Sequence, residues 1–313
     1  MNTSSSPTSD TETPVFFQAS DDFLSGILTE PSISPLGIAV VLLNGGNHGP
    51  STGRNQLGAR QCRRLAAEGF HALRFDYHGV GDSTGDVYQF RLDTPFREDA
   101  LAAISFLRSR GLDRFVLVGG CFGARTALAC APAVPGLVAI VLRTLPVREQ
   151  EKTELGPTDL MPKRSLGQLA LRALRPRVAA GFFRRSRRRV YLRTARNALR
   201  ARVQRSRHET EGGVPAWMSA QVVSEMQDLL DLKVPVLLVS GRGDPDFAYF
   251  EQALTGCFDE MFAAADSLVD VQILDGRVGS GADVSVQQPV IDLTATWLAD
   301  LHSGRPVGEA IHA

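Results

Sequence analysis

The chain reads as an α/β protein, with a mainly parallel sheet, helices on both faces and a helical insertion. Three observations predict this. Short continuous apolar runs alternate with amphipathic segments, the pattern of buried parallel strands joined by crossover helices. Gly-rich turns follow two of those runs, at Asn44-Gly45-Gly46-Asn47-His48-Gly49-Pro50 and at Gly119-Gly120-Cys121-Phe122-Gly123. The alternation stops between Arg148 and Leu232, in an Arg-rich stretch with Pro162, Pro176 and Gly181 as joints, and then resumes.

Taken in order, residues 1–13 form a Ser/Thr/Pro-rich leader expected to be disordered, and Pro14 to Thr29 reads as edge β-structure. Gly37 to Leu43 is apolar throughout and suits a central strand. A helix is expected over Asn55 to Glu68, with Leu57, Cys62, Leu65 and Ala66 toward the core, and then a strand over His71 to Phe75. The helix Arg97 to Arg110, the strand Phe115 to Val118, a helix from Phe122 to Cys130 and the buried run Leu137 to Leu142 complete a first half, 14–147. An insertion spans 148–232. The second half, 233–302, holds the runs Val234 to Ser240 and Asp270 to Leu274 and a final helix over Gln288 to Leu301, before a tail at 303–313.

The 313 residues, 43% of them hydrophobic, are enough to bury a substantial core. No apolar run approaches the roughly 20 residues of a membrane span, and the N-terminus lacks the basic start and apolar core of an export signal, so a cytoplasmic location is expected. Cys62, Cys121, Cys130 and Cys257 are scattered without metal-ligand spacing, so free thiols, no metal and no cofactor are expected. The zero net charge hides an asymmetry. Sixteen of the 34 Lys and Arg residues lie between Lys163 and Arg207 with no Asp or Glu among them, which leaves a net charge of −16 on the remainder.

The chemistry points to Val116-Leu117-Val118-Gly119-Gly120-Cys121-Phe122-Gly123-Ala124. A buried strand ends in small residues, turns sharply and enters a helix, the pattern of a nucleophile elbow with cysteine at its tip. Glycines at 119 and 123 fit a turn that brings strand and helix too close for a Cβ. The helix N-terminus beneath the sulfur is expected to favour thiolate over thiol. A buried structural cysteine after a Gly-rich turn is the plainer alternative.

Together with Leu43-Asn44-Gly45-Gly46 and Arg74-Phe75-Asp76-Tyr77-His78-Gly79-Val80-Gly81-Asp82-Ser83, this elbow resembles the α/β-hydrolase superfamily over roughly residues 35–145 and 233–301. Leu43-Asn44-Gly45-Gly46 and the Asp76 to Ser83 segment resemble a branch encoded beside exosortase or natural-product assembly genes, many of whose members carry cysteine at the elbow, and a related set with cysteine nucleophiles is the Dieckmann cyclases that release tetramates from carrier proteins. The resemblance implies an α/β-hydrolase fold with Cys121 as nucleophile. It implies an oxyanion hole from the N–H of Phe122 and of Gly46 or Asn47, and Asp244 as the acid that orients a histidine, with Asp246 as fallback. The histidine is the departure. Where the family commonly has a Gly-Ala-Asp-His-like segment, this chain reads Gly281-Ala282-Asp283-Val284-Ser285, while His302 and His312 lie too far along.

Three readings follow. His48, in the oxyanion loop, or His78, after the next strand, supplies the base. Alternatively, a thiol with a reference pKa of ~8.5 accepts an acyl group from a thioester without one. In the third, the fold binds an acyl ligand or an acidic partner without catalysis. Water needs a general base more than a thiol does, so the missing histidine favours acyl transfer or cyclisation over hydrolysis by a thioesterase or esterase.

The insertion is expected to act as a lid at the C-terminal ends of the strands, where open α/β sheets bind ligands. Arg184, Arg185, Arg187, Arg188 and Arg189, with Arg193, Arg196 and Arg200, fall at helical spacings and form a cationic ridge. It suits either an acidic acyl- or peptidyl-carrier protein or the chain's own acidic surface. Nucleic acid is disfavoured, because few aromatics interleave beyond Phe182, Phe183 and Tyr191, which with Leu169, Leu171, Leu174 and Leu192 suit an apolar lid underside.

Overall fold

The structure is a computed structural model that describes residues 11–45, 49–86, 90–149, 214–279, 281 and 283–304. Residues 1–10 of the leader, residues 46–48, the Arg-rich stretch 150–213 and the tail from 305 lie outside the described residues, whereas Glu12 and Thr13, expected in the disordered leader, belong to a strand that pairs with Thr29 and Leu28.

Eight strands form one sheet: β1 (Glu12–Ala19), β2 (Asp22–Thr29), β3 (Ile38–Leu43), β4 (His71–Phe75), β5 (Arg114–Gly120), β6 (Leu137–Arg143), β7 (Val236–Gly241) and β8 (Val269–Leu274), in the order β1-β2-β4-β3-β5-β6-β7-β8. The β1–β2 hairpin joins antiparallel at one edge, and every pair from β4 onward is parallel. All six residues of β3 and all six of β7 are buried, as continuous apolar strands covered on both faces must be.

One face carries α1 (Leu57–Ala67) and α7 (Val284–Ser303). Cys62 and Leu65 from α1 and Val286, Val290, Leu293 and Trp297 from α7 pack on alternate strand residues, among them Val40, Leu42, Val116, Val118, Val141 and Val239. The helices α2 (Arg97–Ser109), α3 (Phe122–Cys130) and α4 (Ala220–Asp231) pack against one another in the order α2, α3, α4, with α2 on β1 and α3 on β5 and β6. Two shorter helices, α5 (Phe247–Leu254) and α6 (Asp259–Ala265), lead from β7 to β8.

The helix α4 falls inside the stretch the sequence assigns to the insertion, 148–232, yet its residues belong with the sheet. Residues 218–313 group with 1–150 in one unit. Buried Val222, Met226, Leu229 and Leu230 give α4 an apolar face at helical spacing, and Glu225 lies 3.5 Å from Arg125 of α3. Arg148 pairs with Met218 in an isolated antiparallel bridge, and Ser219 N–H donates to the Val147 carbonyl at 2.9 Å, so the chain leaves and rejoins this unit at one point.

Candidate active site

Cys121 stands between β5 and α3 with φ 51° and ψ −113°, a backbone conformation rarely adopted outside glycine. The surrounding glycines make that conformation feasible. A Cβ on Gly119 would run into the backbone of Gly123, and a Cβ on Gly123 would run into the carbonyl oxygen of Leu43. Cys121 N–H donates to the Arg143 carbonyl at 2.9 Å, and its own carbonyl accepts from the N–H of Ala124 and Arg125, which locks the turn to β6 on one side and to the helix on the other. The strand-turn-helix predicted from sequence is therefore present in full, with Cys121 partly buried at its tip.

Electrostatics differ from expectation. The N–H of Phe122 bonds the sulfur and favours the thiolate, as a helix N-terminus should. Burial outweighs it, and Asp246 and Asp244 act with burial, so the thiol is pushed above its ordinary value.

The loop after β3, where the resemblance places the oxyanion hole, is anchored at both ends by the last residue of β4 and the one after it. Asn44 donates through Nδ2 to the Phe75 carbonyl at 3.1 Å. On the far side, the buried carboxylate of Asp76 accepts from Ser51 N–H at 2.5 Å. Gly81 packs so closely on Asp76 that a Cβ would overlap the carboxylate, and Ser83 Oγ donates to the Asp76 carbonyl at 2.7 Å. The Asp76 to Ser83 motif is thus a bracket for the loop. A Cβ on Gly45 would stand 3.9 Å from that of Cys121, which brings the start of the loop to the elbow. Gly46, Asn47 and His48 lie outside the described residues.

A cavity of about 310 Å³ opens at Cys121. Its walls come from the ends of β3, β5 and β6, from 49–58 and from the loop after β8, with Arg143, Thr144, Val278 and Gly279 opposite the loop of Asn44 and Gly45. His78 is not among the lining residues; its Nδ1 lies 2.8 Å from Asp99 Oδ2 and its ring 4.4 Å from that of Phe96. Burial raises the Asp99 pKa, against the N–H and imidazole of His78, which lower it.

Asp244 follows β7, where the resemblance places the acid, and is spoken for by backbone. Its Oδ2 accepts from Gly241 N–H and its Oδ1 from Gly279 N–H, both at 3.0 Å. Burial raises its pKa, while the N–H groups of Gly279, Gly241 and Val278 hold it down. The carboxylate therefore faces 278–279, and the position opposite it is not Val284. Val284 is the first residue of α7 and 61% exposed, and it follows Asp283, whose carboxylate caps the helix by accepting from Ser285 N–H at 3.2 Å. Asp246, the fallback, pairs with Arg148 at 3.1 Å on the exposed side.

Sequence reasoning missed Arg143 and Thr144. The signal was an Arg-Thr pair ending an otherwise apolar strand on the rim that bears the elbow. Among the described residues no group of His, Cys, Asp or Glu is placed to hold a metal, and no helix is long and apolar enough to cross a membrane. The arginines at 184, 185, 187, 188 and 189, the aromatics beside them and His312 lie outside the described residues.

A parallel sheet with a nucleophile elbow after β5 and an acid after β7 defines an α/β-hydrolase fold. A model of the Alpha/beta hydrolase family matches residues 40–283, and the chain belongs to that family. Among solved structures, an esterase from Pyrococcus furiosus is similar over 96% of this chain and 93% of its own, with a TM-score of 0.58 at 15% identity. A proline iminopeptidase from Mycobacterium smegmatis is similar over 93% and 99%, with a TM-score of 0.55 at 17% identity. An α/β serine hydrolase homologue from Coxiella burnetii gives 0.52 at 14% identity over 91% and 96%. A curated protein from Shewanella hanedai, named acyl transferase, is 34% identical over 64 residues, and that match spans only 20% of either chain.

Proposed function

We propose that this chain is an acyl-transfer enzyme in which Cys121 takes an acyl group from a thioester and passes it to an amine, hydroxyl or carbanion. The observation that carries this reading is a nucleophile elbow with cysteine at its tip, opening on a cavity whose described lining contains no histidine. The cysteine sulfur, once deprotonated, attacks the thioester carbonyl carbon. On this reading the resulting oxyanion accepts from the N–H of Phe122, with Gly46 or Asn47 as the second donor. Collapse breaks the bond to the leaving thiolate, which takes up the proton given by the cysteine, so this step is close to balanced between two sulfurs.

Removing the acyl group with water is harder, because water needs a base and Asp244 is occupied by backbone N–H groups. An acyl-cysteine that outlasts water waits for a better nucleophile, and where that nucleophile belongs to the same acyl chain the product is a ring. Cyclisation in natural-product assembly, as in the Dieckmann cyclases, fits this order of events. The name of the Shewanella hanedai relative is consistent with it. An acidic carrier protein that docks on the arginines between Arg184 and Arg189 is the partner we propose, on the charge asymmetry of the sequence. A hydrolase is the second reading; its base would be His48 or the Asp99-paired His78.

Intact-protein mass spectrometry after incubation with N-acetylcysteamine thioesters tests the proposal. A persistent acyl adduct on the native chain, absent from Cys121→Ala, is expected. Rapid release of free acid with no adduct would establish hydrolysis, and inertness of the native chain would leave a binding protein.

A further inference from the structure

Arg143 ends a strand whose other residues are apolar, and the sheet pairs it with Gly120, the residue before Cys121. Its side chain lies on the α1 side with Ala139 and Val141, and its Nη1 donates to Gln61 Oε1 at 3.0 Å. Buried Nε lacks a hydrogen-bond partner, and among the described residues no carboxylate pairs with Arg143. The Nε–Nη2 edge looks across to Gly120, where a Cβ would stand 3.5 Å from Nη2 and 3.8 Å from Nε. Glycine leaves that space empty.

Thr144, the next residue, adds an independent sign. Its Oγ1 is also buried without a partner, and its φ of 45° lies in a region that β-branched residues avoid. Both residues line the cavity that opens at Cys121. Burial alone pushes the guanidinium down to about 10, so Arg143 stays cationic at neutral pH. A buried cation without a counter-charge is among the costliest features a fold can hold, and an anionic ligand relieves it.

We propose that Arg143 and Thr144 form a subsite for a carboxylate carried by the acyl group that Cys121 accepts. The two N–H groups of the Nε–Nη2 edge match a carboxylate as a fork, and Thr144 Oγ1 offers a third donor. The phosphate of a pantetheine arm does not fit here, because it sits at the opposite end of the arm from the thioester sulfur. Gln61 is a positioning residue, since it holds Nη1 and leaves the other edge free.

The choice of substrate rests on the acyl-transfer reading, whereas anion binding can be measured without it. Acylation of Cys121 by succinyl-N-acetylcysteamine should outpace that by butyryl-N-acetylcysteamine about tenfold in the native chain, and this ratio should fall toward one in Arg143→Gln. Arg143→Lys, which keeps a charge but loses the fork, should lose part of the ratio. No preference in the native chain, or an unchanged ratio in both variants, overturns the proposal. Equal slowing of both thioesters by Arg143→Gln also overturns it, because the guanidinium would then serve the thiol and not the substrate. If no thioester labels Cys121, calorimetry with free succinate decides. Binding to the native chain and Cys121→Ala but not to Arg143→Gln would sustain the subsite while the acyl-transfer reading falls, and no binding to any of them would end both.

Discussion

The elbow after β5 and the acid loop after β7 lie on the same rim of the sheet, but their states of completion differ. At the elbow the described residues show glycines where a Cβ cannot fit, a strained residue at the tip, a donor at the sulfur and a bracketed loop beside it. At the acid loop the carboxylate is present but faces Gly279 and Val278, whose backbone N–H groups it accepts. Among the described residues the elbow keeps its tight geometry, while no histidine is among the hydrogen-bond partners of Asp244.

The comparison breaks first if the elbow is not as tight as described. Gly123→Ala drives a methyl group against the Leu43 carbonyl and is expected to destabilise the protein by about 3 kcal/mol, read as a lowered midpoint in urea. A midpoint unchanged from the native chain would mean that the turn has slack. Next comes the pH dependence. Because burial raises the Cys121 pKa, the thiolate is scarce near neutrality, and the acylation rate should climb by about tenfold per pH unit to beyond the ordinary thiol range. A plateau near pH 7 would show a thiol that is activated instead. Smallest is Asp244→Asn. With backbone N–H groups as its hydrogen-bond partners among the described residues, its loss should cost about 1–2 kcal/mol of stability and slow acylation by less than about tenfold. A loss approaching the roughly 10⁴-fold seen when a triad acid is removed would instead put a histidine against this carboxylate.

Much of the fold could be read from the chain because its strands are continuous apolar runs bounded by Gly-rich turns, and each expected strand from Gly37 to Leu274 has a counterpart in the sheet. The helix α4 was hidden by its neighbourhood, since it adjoins an Arg-rich stretch and nothing local says that its apolar face meets α3. The elbow was legible because its steric requirement is written in two glycines. The acid after β7 was legible too, but the position that its carboxylate faces was not. Sequence placed the substitution at Val284 by analogy of pattern, but a carboxylate's direction is set by the path of the loop after β8, and Asp283 was already committed to capping α7. The subsite residues escaped for a related reason, because an unpaired guanidinium and a positive φ at Thr144 are properties of neighbours in space.

The clasp between Arg148 and Met218 has a consequence for the length of chain between them. Departing and returning chain meet there as adjacent antiparallel partners, so the segment between them begins and ends at one place on this unit. The entropy of closing such an excursion grows only slowly with its length. Segments of quite different length can therefore be accommodated between these two points at little entropic cost.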